Sequence, residues 1–488
     1  MGKFKKLCAI AMTLIMVFSV TPQSVFAAKK IKLNKTRATV YVGKTVQLKV
    51  NNNKKKVKWS TSNKKVATVT KKGKVTGKKA GKSTITAKIG KKKYKCKITV
   101  KKKAVKSDKK ITVEESKLDN NDVAVLEKII KEQKNKGNGV IEEGLTHKSY
   151  TWNKDGYLTG ISTLIIGDID LSGLSHLEKL SIWGNDIVSV NIKNNPNLKD
   201  LSINSSESTK IESLDISNNK NLENLYLVSC EKLSDIDVSN NKNLKYLTVY
   251  DCTSLRKGID VTHNSNLEEL DCSYSDITSL DVSKNSKLRK LECSDNKLSY
   301  LVISKNNKLE ELDCSTNKLE SVDVSNNINL VSLDVGGNNI KSIDISRNTS
   351  LTKLSLDGNN LKSVDVSKNT ALEILDVGNN MLTSLDVSKL TNLKRLDAGN
   401  FGRFNTIDYP HNTIATLDVS KNILLETLSV DNLQLTKLDV SKNTLLWYLS
   451  CARNKFTILN LTSNKKLVSL WCDNNITITG YTGSINGH

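Results

Sequence analysis

From about residue 158 the apolar positions of the chain recur at a fixed period. The unit reads LxxLxLxxNxLxxLDVSxNxx. Its LDV-like step begins at Asp170, Asn191, Asp215, Asp237, Asp260, Asp281, Val302, Asp323, Asp344, Asp365, Asp386, Asp418, Asp439 and Asn460. Most steps are 21 residues, those from 191 to 260 are 24, 22 and 23, and the step from 386 to 418 is 32, an insertion of 11. A period held over fourteen units predicts a solenoid, in which each unit buries its apolar face against its neighbours. Leu270, Cys272 and their repeat mates are expected to point inward, and the residues between them outward onto a parallel sheet, the concave face. Asn296, Asn317, Asn338, Asn359 and Asn380 are expected to form an inward ladder that satisfies backbone groups in each turn. So short a unit leaves no room for a long convex helix. LDVSxN predicts a short extended piece ending in a turn, where Ser and Asn side chains bond their own backbone.

Ahead of the repeats the period is two: Ala38-Thr-Val40, Val46-Gln-Leu48-Lys-Val50, Val57-Lys-Trp59, Thr84-Ile-Thr-Ala87 and Cys96-Lys-Ile98-Thr-Val100, punctuated by Gly73, Gly77, Gly81 and Gly90. Short strands at this spacing predict a β-sandwich, with Val, Ile, Leu, Trp59 and Cys96 inward and lysines outward. Residues 104–117 are polar and Lys-rich at the start, which suits a linker. A helix capped by Asn121 or Asp122 is expected to run through Val123, Val125, Leu126, Ile129 and Ile130 to near Gly137. With the stretch up to Ile161 it makes a cap, residues 118–160, over the open end of the repeat core. The repeats themselves span 161–480.

Two resemblances follow from these residues. The run from Val57 to Val69 (VKWSTSNKKVATV), then Gly73-Lys-Val75-Thr76-Gly77 and Gly81 to Ala87, resembles the bacterial immunoglobulin-like domain of group 2 over the whole module, residues 29–103. That resemblance implies a spacer or adhesive module of bacterial surface proteins without catalysis. The LxxLxLxxN core is the leucine-rich-repeat pattern, and the cap is similar to those preceding such repeats in secreted proteins of Gram-positive bacteria. The expected fold is therefore mainly β: an N-terminal Ig-like β-sandwich, then a capped leucine-rich-repeat solenoid with a parallel sheet on its concave face and little helix.

The N-terminus reads as a secretory signal, residues 1–28: Lys3, Lys5 and Lys6, an apolar run from Leu7 to Val20, then Val25-Phe26-Ala27 at the cleavage positions. No second long apolar run follows, so the expected mature protein is secreted and outside the membrane, with retention at the cell surface and no anchor legible in the sequence. Charge sharpens this division. The 488 residues carry +25, but residues 29–110 hold 31 Lys and Arg against one acid, Asp108, whereas 111–488 carry −8. The basic module therefore suits an anionic wall polymer. Only Tyr41, Trp59 and Tyr94 interleave with its lysines, so base stacking on nucleic acid is poorly supported.

Of nine cysteines, Cys8 leaves with the signal. Cys272, Cys293 and Cys314 recur every 21 residues on the apolar side of the strand pattern, Cys451 and Cys472 take the same place later, and Cys230 and Cys252 occupy a position that otherwise favours Asn. Buried free thiols are expected rather than disulfides. No CxxC pair exists, and His147, His176, His263, His411 and His488 follow no ligand or triad spacing, so no metal, cofactor or catalytic set is expected. DVSKN starts like a calcium loop but lacks the glycine at six and the glutamate at twelve.

What remains is surface. The outward position between the inward strand residues reads Asp271, Glu292, Asp313, Asp334, Ser355, Asp376, Asp397. This is either a docking strip for a cationic partner or a sugar polymer, or a solvated stripe inherited by duplication. Lys290, Lys353 and Arg395 stand on the neighbouring row. Trp183, Tyr226, Tyr246 and Tyr250 take outward positions nearer the N-terminus, and Tyr448 and Trp471 near the C-terminus. The insertion near 400–411 holds Phe401, Arg403, Phe404 and Tyr409, either at the concave rim as a specific contact or folded back on its own repeat. The expected function is binding of a protein or glycan on the repeats and of an anionic polymer on the basic module. The alternative is a structural spacer without a dedicated ligand.

Overall fold

Period-two sequence and period-21 sequence fold into separate units, one ending at Thr112 and the other beginning at Val113. The structure is a computed structural model describing residues 32–33, 35, 37–41, 45–51, 55, 57–90, 92–101, 117–141, 144–400, 410–483 and 485–487. The expected signal segment, nearly all of the linker, and Phe401, Arg403, Phe404 and Tyr409 lie outside these residues.

In the first unit a four-stranded sheet runs in the order Arg37–Tyr41, Lys92–Lys101, Gly81–Ile89, Lys58–Thr61, and a three-stranded sheet in the order Thr45–Gln47, Lys74–Gly77, Ala67–Val69. Alternation along Gly81–Ile89 buries Ser83, Ile85, Ala87 and Ile89 and turns the lysines out. Leu48, Val75, Ile85, Ala87, Cys96 and Ile98 form the core. Trp59 is only half-buried at its margin. Its ring lies where a Cβ on Gly73 would come within 2.8 Å, and Gly73 itself has φ +81°. Glycine fits there because the chain must turn beneath an indole with a positive φ.

The second unit opens with the helix Asn120–Asn135. Its cap is Asp119, whose carboxylate accepts from the backbone N–H of Asn121 and Asp122 at 3.1 Å each. The sequence had pointed to Asn121 or Asp122 instead. Asp122 is drawn inside, 2 % exposed, because its Oδ2 accepts from Leu158 N at 2.8 Å and so ties the helix to the first strand. Leu126, Ile129 and Ile130 cover the end of the core. Gln133 finishes the cap: its Nε2 donates to Ile166 O at 2.9 Å and its Oε1 accepts from Ile166 N at 2.8 Å. A glutamine thus supplies the donor and acceptor that a preceding turn would have offered.

The concave sheet has 17 strands. It begins with an antiparallel hairpin, Tyr150–Trp152 against Leu158–Leu164, and continues parallel from Lys179–Trp183 through Ile485–Gly487. At about 4.8 Å per strand the face is roughly 75 Å long. Most of its strands after Tyr246–Tyr250 are three residues long, such as Glu311–Asp313. From Lys179–Trp183 to Ser469–Cys472 each strand gives one leucine, among them Leu270, Leu291, Leu312 and Leu333, that stacks with its mates in the core.

Two asparagine columns brace this core. The expected ladder is present. Asn359, for instance, donates through Nδ2 to Val335 O of the preceding turn (2.9 Å) and to Leu356 O (3.0 Å), and accepts from Ile340 N (2.9 Å). At the insertion the ladder is continued by Asn412, which accepts from Leu382 N and donates to Val377 O and Ala398 O. Asn400 and Asn412 bond each other at 2.8 Å in both directions and close the base of the loop. Toward the N-terminus Ser275 and Cys252 hold the same position and donate to Val249 O and Leu227 O.

The second column is the Asn of LDVSxN, and here the expectation needs correction. It does not bond its own turn. Asn285 Nδ2 donates to Val261 O (3.0 Å) and Asn264 O (2.9 Å) of the preceding turn, and the residue is wholly buried. The turn itself is closed by the Asp, as in Asp281, whose Oδ1 accepts from Ser283 N at 2.8 Å. Buried Val and Leu on either side pull the asparagine inward, leaving the aspartate outside to make the turn.

After several of these strands the chain passes through a left-handed residue: Asp295, Thr316, Gly337, Gly358, Asn379, Asn432 and Arg453 have φ between 50° and 63°. Thr316 is the costly member, since a β-branched side chain suits this region least. Thr316→Gly should raise stability by about 0.5–1 kcal/mol, the relief exceeding the added freedom of the unfolded chain. A urea midpoint unchanged or lowered would refute this.

Candidate functional site on the concave face

The strand register sets the surface. One outward row runs Ser181, Ser202, Tyr226, Thr248, Asp271, Glu292, Asp313, Asp334, Ser355, Asp376, Asp397, Ser429, Ser450, Trp471, each directly opposite the next. The acids expected from spacing therefore share one file, and the row runs on past Trp471 to Asn486. A parallel row carries Lys179, Asp200, Asn224, Tyr246, Glu269, Lys290, Glu311, Ser332, Lys353, Ile374, Arg395, Thr427 and Tyr448.

Each acid has a local task as well. Asp271, Asp313, Asp334, Asp376 and Asp397 accept at Oδ1 from the backbone N–H two residues on, between 3.0 and 3.3 Å, and so end their short strands. Where the row holds serine, the carboxylate has moved two positions: Asp357 follows Ser355 and accepts its hydroxyl at 2.8 Å, and Asp431 follows Ser429. Glycine stands at the matching position of neighbouring turns. A Cβ on Gly336 would lie 2.5 Å from Asp357 Oδ1, and one on Gly399 would lie 2.9 Å from Asp431 N. Turns 334, 357, 376, 397 and 431 each contribute a carboxylate, along a trench kept open by glycine. Asp357 and Asp431 were missed by spacing, and the Ser-x-Asp against Asp-x-Gly alternation was the available signal.

Crowding and burial shape the electrostatics. Burial is the first cause that pushes the carboxyls of Asp271, Glu292, Asp334 and Asp397 above their ordinary range. Asp431 is fully buried and is pushed up to about 7, although it accepts from Ser450 Oγ and Ala452 N at 2.8 Å. Cations answer sparsely: Lys290 sits 2.8 Å from Glu292, and Lys353 sits 3.8 Å from Asp334. The convex aspartates behave oppositely. Hydrogen bonds from the serine two residues on hold Asp323, Asp344, Asp365, Asp386 and Asp418 below the usual carboxylate range.

At the N-terminal end the face is aromatic. Trp183 and Tyr226 are about 40 % exposed, and Tyr246 and Tyr250 are half-buried. Tyr250 packs against Tyr274, ring centres 5.2 Å apart. Tyr274 is exposed and was not foreseen, because it sits on the left-handed turn rather than on a strand. Near the C-terminus Tyr448 lies edge-on to the exposed Trp447 at 5.9 Å.

All eight cysteines after Cys8 are free and buried. Cys272, Cys293 and Cys314 stand on successive turns at 0 % exposure, where burial raises their thiols and keeps them protonated. Among the described residues no group of three or more His, Cys, Asp or Glu is placed to hold a metal ion, and no helix is long and apolar enough to cross a membrane.

A capped solenoid with an exposed side-chain grid on its parallel sheet defines a leucine-rich-repeat protein. The chain is 32 % identical to the functional domain of InlJ from Listeria monocytogenes, which includes a cysteine ladder; the match covers 66 % of this chain and 67 % of that one, with a TM-score of 0.57. The protein belongs to this internalin-like leucine-rich-repeat family. Residues 27–100 match the bacterial Ig-like domain of group 2. A leucine-rich-repeat protein of Leptospira interrogans (22 % identity, 63 % and 75 % covered, TM-score 0.49) and an internalin of Listeria monocytogenes (21 %, 74 % and 94 %, 0.48) are more distant. No curated protein matches in sequence.

Proposed function

We propose that the protein is a secreted binding protein of the bacterial cell surface. The Ig-like module adheres to anionic envelope polymers, and the solenoid takes a protein or glycan partner on its concave face. The observation that carries the reading is the file of carboxylates from Asp271 to Asp397, crowded across adjacent strands and only partly answered by cations. Like charges set side by side cost stability, and a cationic partner would relieve that cost. The spacer reading rests on the strand-ending role of these acids.

Asparagine preserves that role and removes the charge, so one variant separates the two readings. Asp334→Asn with Asp376→Asn and Asp397→Asn should weaken binding of a Lys-rich probe peptide at least about tenfold at low salt, with no loss of stability near neutral pH. Equal binding by variant and parent would leave the spacer reading standing. For the Ig-like module, binding of the full chain to isolated cell walls should fall steeply as salt rises, and salt-independent retention would defeat the electrostatic account.

A further inference from the structure

The N-terminal third of the concave face differs from the acidic file in shape and in charge. Ser181 and Ser202 lie opposite each other on adjacent strands, and the next residue in that row is Tyr226. Two rows are thus low where a third rises by a full phenol. Two positions beyond Ser181 stands Trp183, opposite Asn204. The step leaves a hollow of about 360 Å³ whose lining includes Lys179, Ser181, Asp200, Ser202, Tyr226 and Tyr246. That volume is at the lower end of the roughly 300–1,000 Å³ typical of small-molecule sites.

The polar groups around it are paired and fixed. Lys179 Nζ lies 2.7 Å from Asp200, which also accepts from the Asn224 amide. Asn204 Nδ2 donates to Ser202 Oγ at 3.1 Å. Asp200 raises the Lys179 ammonium further and stands as its counter-charge. The hollow therefore offers aromatic faces, hydroxyls, amides and a neutralised ion pair, with no net charge to attract an ion. Backbone pairing with an extended peptide is unavailable, because both neighbours of each strand are already hydrogen-bonded.

We propose that this hollow binds one or two rings of a neutral carbohydrate. A pyranose has an apolar C–H face to lay on Tyr226 or Tyr246 and an equatorial rim of hydroxyls to exchange bonds with Ser181, Ser202, Asn224 and Asp200. Exposed aromatics on a rigid sheet hold this geometry before the ligand arrives, which lowers the ordering cost of binding. The proposal rests on the reading of the concave face as a recognition surface and names the ligand class for its N-terminal part.

The test uses the full chain, saturation-transfer NMR and titration calorimetry. The probes are neutral oligosaccharides of glucose, N-acetylglucosamine, mannose and galactose, with a Lys-rich peptide alongside. At least one oligosaccharide should bind. Its affinity should fall at least about tenfold (about 1.4 kcal/mol) in Tyr226→Ala and in Ser202→Trp, which fills the hollow while keeping both tyrosines, and should hold in Lys368→Ala, an exposed position outside the concave rows. Circular dichroism of each variant should match the parent. Failure of every oligosaccharide, or equal binding by both hollow variants, overturns the proposal. If sugars fail while the peptide binds and the acidic triple variant loses it, concave recognition survives and the carbohydrate assignment does not. If both probes fail, both go.

Discussion

Asn359→Ala should lower the stability of the solenoid by about 3–5 kcal/mol, whereas Asn348→Leu should cost about 1 kcal/mol or less. Both asparagines are buried and both donate hydrogen bonds to backbone carbonyls. The difference lies in the other end of the amide. Asn359 Oδ1 accepts from the buried N–H of Ile340, so its loss strands that donor, while Val335 O and Leu356 O keep Asn338 and Asn380 as donors. Each stranded buried group costs about 1–3 kcal/mol. The Oδ1 of Asn348, like those of its column from Asn195 to Asn464, has no partner in the structure, so leucine removes a desolvated oxygen along with the two donated bonds. The chain has made that exchange at two turns: Leu174 takes this position before Asn195 and Leu390 takes it between Asn369 and Asn422, both wholly buried. Amide hydrogen exchange resolves the effect locally, because turns of a solenoid couple mainly to their neighbours. Ile340 N–H protection should drop by about two orders of magnitude or more in Asn359→Ala. Equal losses in the two variants would show that the orphaned oxygen plays no part.

Asp431→Asn should flatten the pH dependence of stability between about pH 4 and 7. The folded carboxyl titrates at about 7, against about 3.9 when unfolded, so the folded state holds this proton more tightly. Its contribution is complete below pH 4 and is lost as pH rises through 7. Three units correspond to about 4 kcal/mol at most. Asparagine keeps an oxygen for Ala452 N–H and Ser450 Oγ without the charge, so the variant should be the more stable protein at pH 8 and nearly equal at pH 4. The raised acids of the file, Asp271, Glu292, Asp334 and Asp397, tilt the profile the same way. The convex aspartates tilt it the other way, because their folded pKa values are lowered and their contribution disappears as pH falls below the unfolded value. Maximum stability is therefore expected in mild acid. Parallel melting profiles of parent and variant from pH 5 to 8 would contradict the assignment.

Much of the architecture was legible because a repeat of fixed length turns sequence spacing into spatial adjacency. Asp271 and Glu292 are 21 residues apart and must face each other once each turn closes on the last. The same logic placed Cys272, Cys293 and Cys314 in one buried stack and Asn296 to Asn359 in one ladder. It failed where a turn kept its length but moved its chemistry. Asp357 and Asp431 belong to the trench, yet sit two positions off the register that found the others. It also failed at the cap, where Asp119, Asp122 and Gln133 take roles set by the strand they meet rather than by helix periodicity.

The sequence by itself determined the solenoid, the sandwich ahead of it and the row of acids, since each follows from which positions repeat and at what interval. Only the tertiary structure decided that the asparagine of LDVSxN and Asp431 are buried, where the hollow beside Tyr226 opens, and which carboxyls hold their protons. Those depend on what the neighbouring turns place within a few ångströms. A Cβ missing at Gly336 or a serine in place of a tyrosine at Ser202 alters desolvation and reach without altering the period.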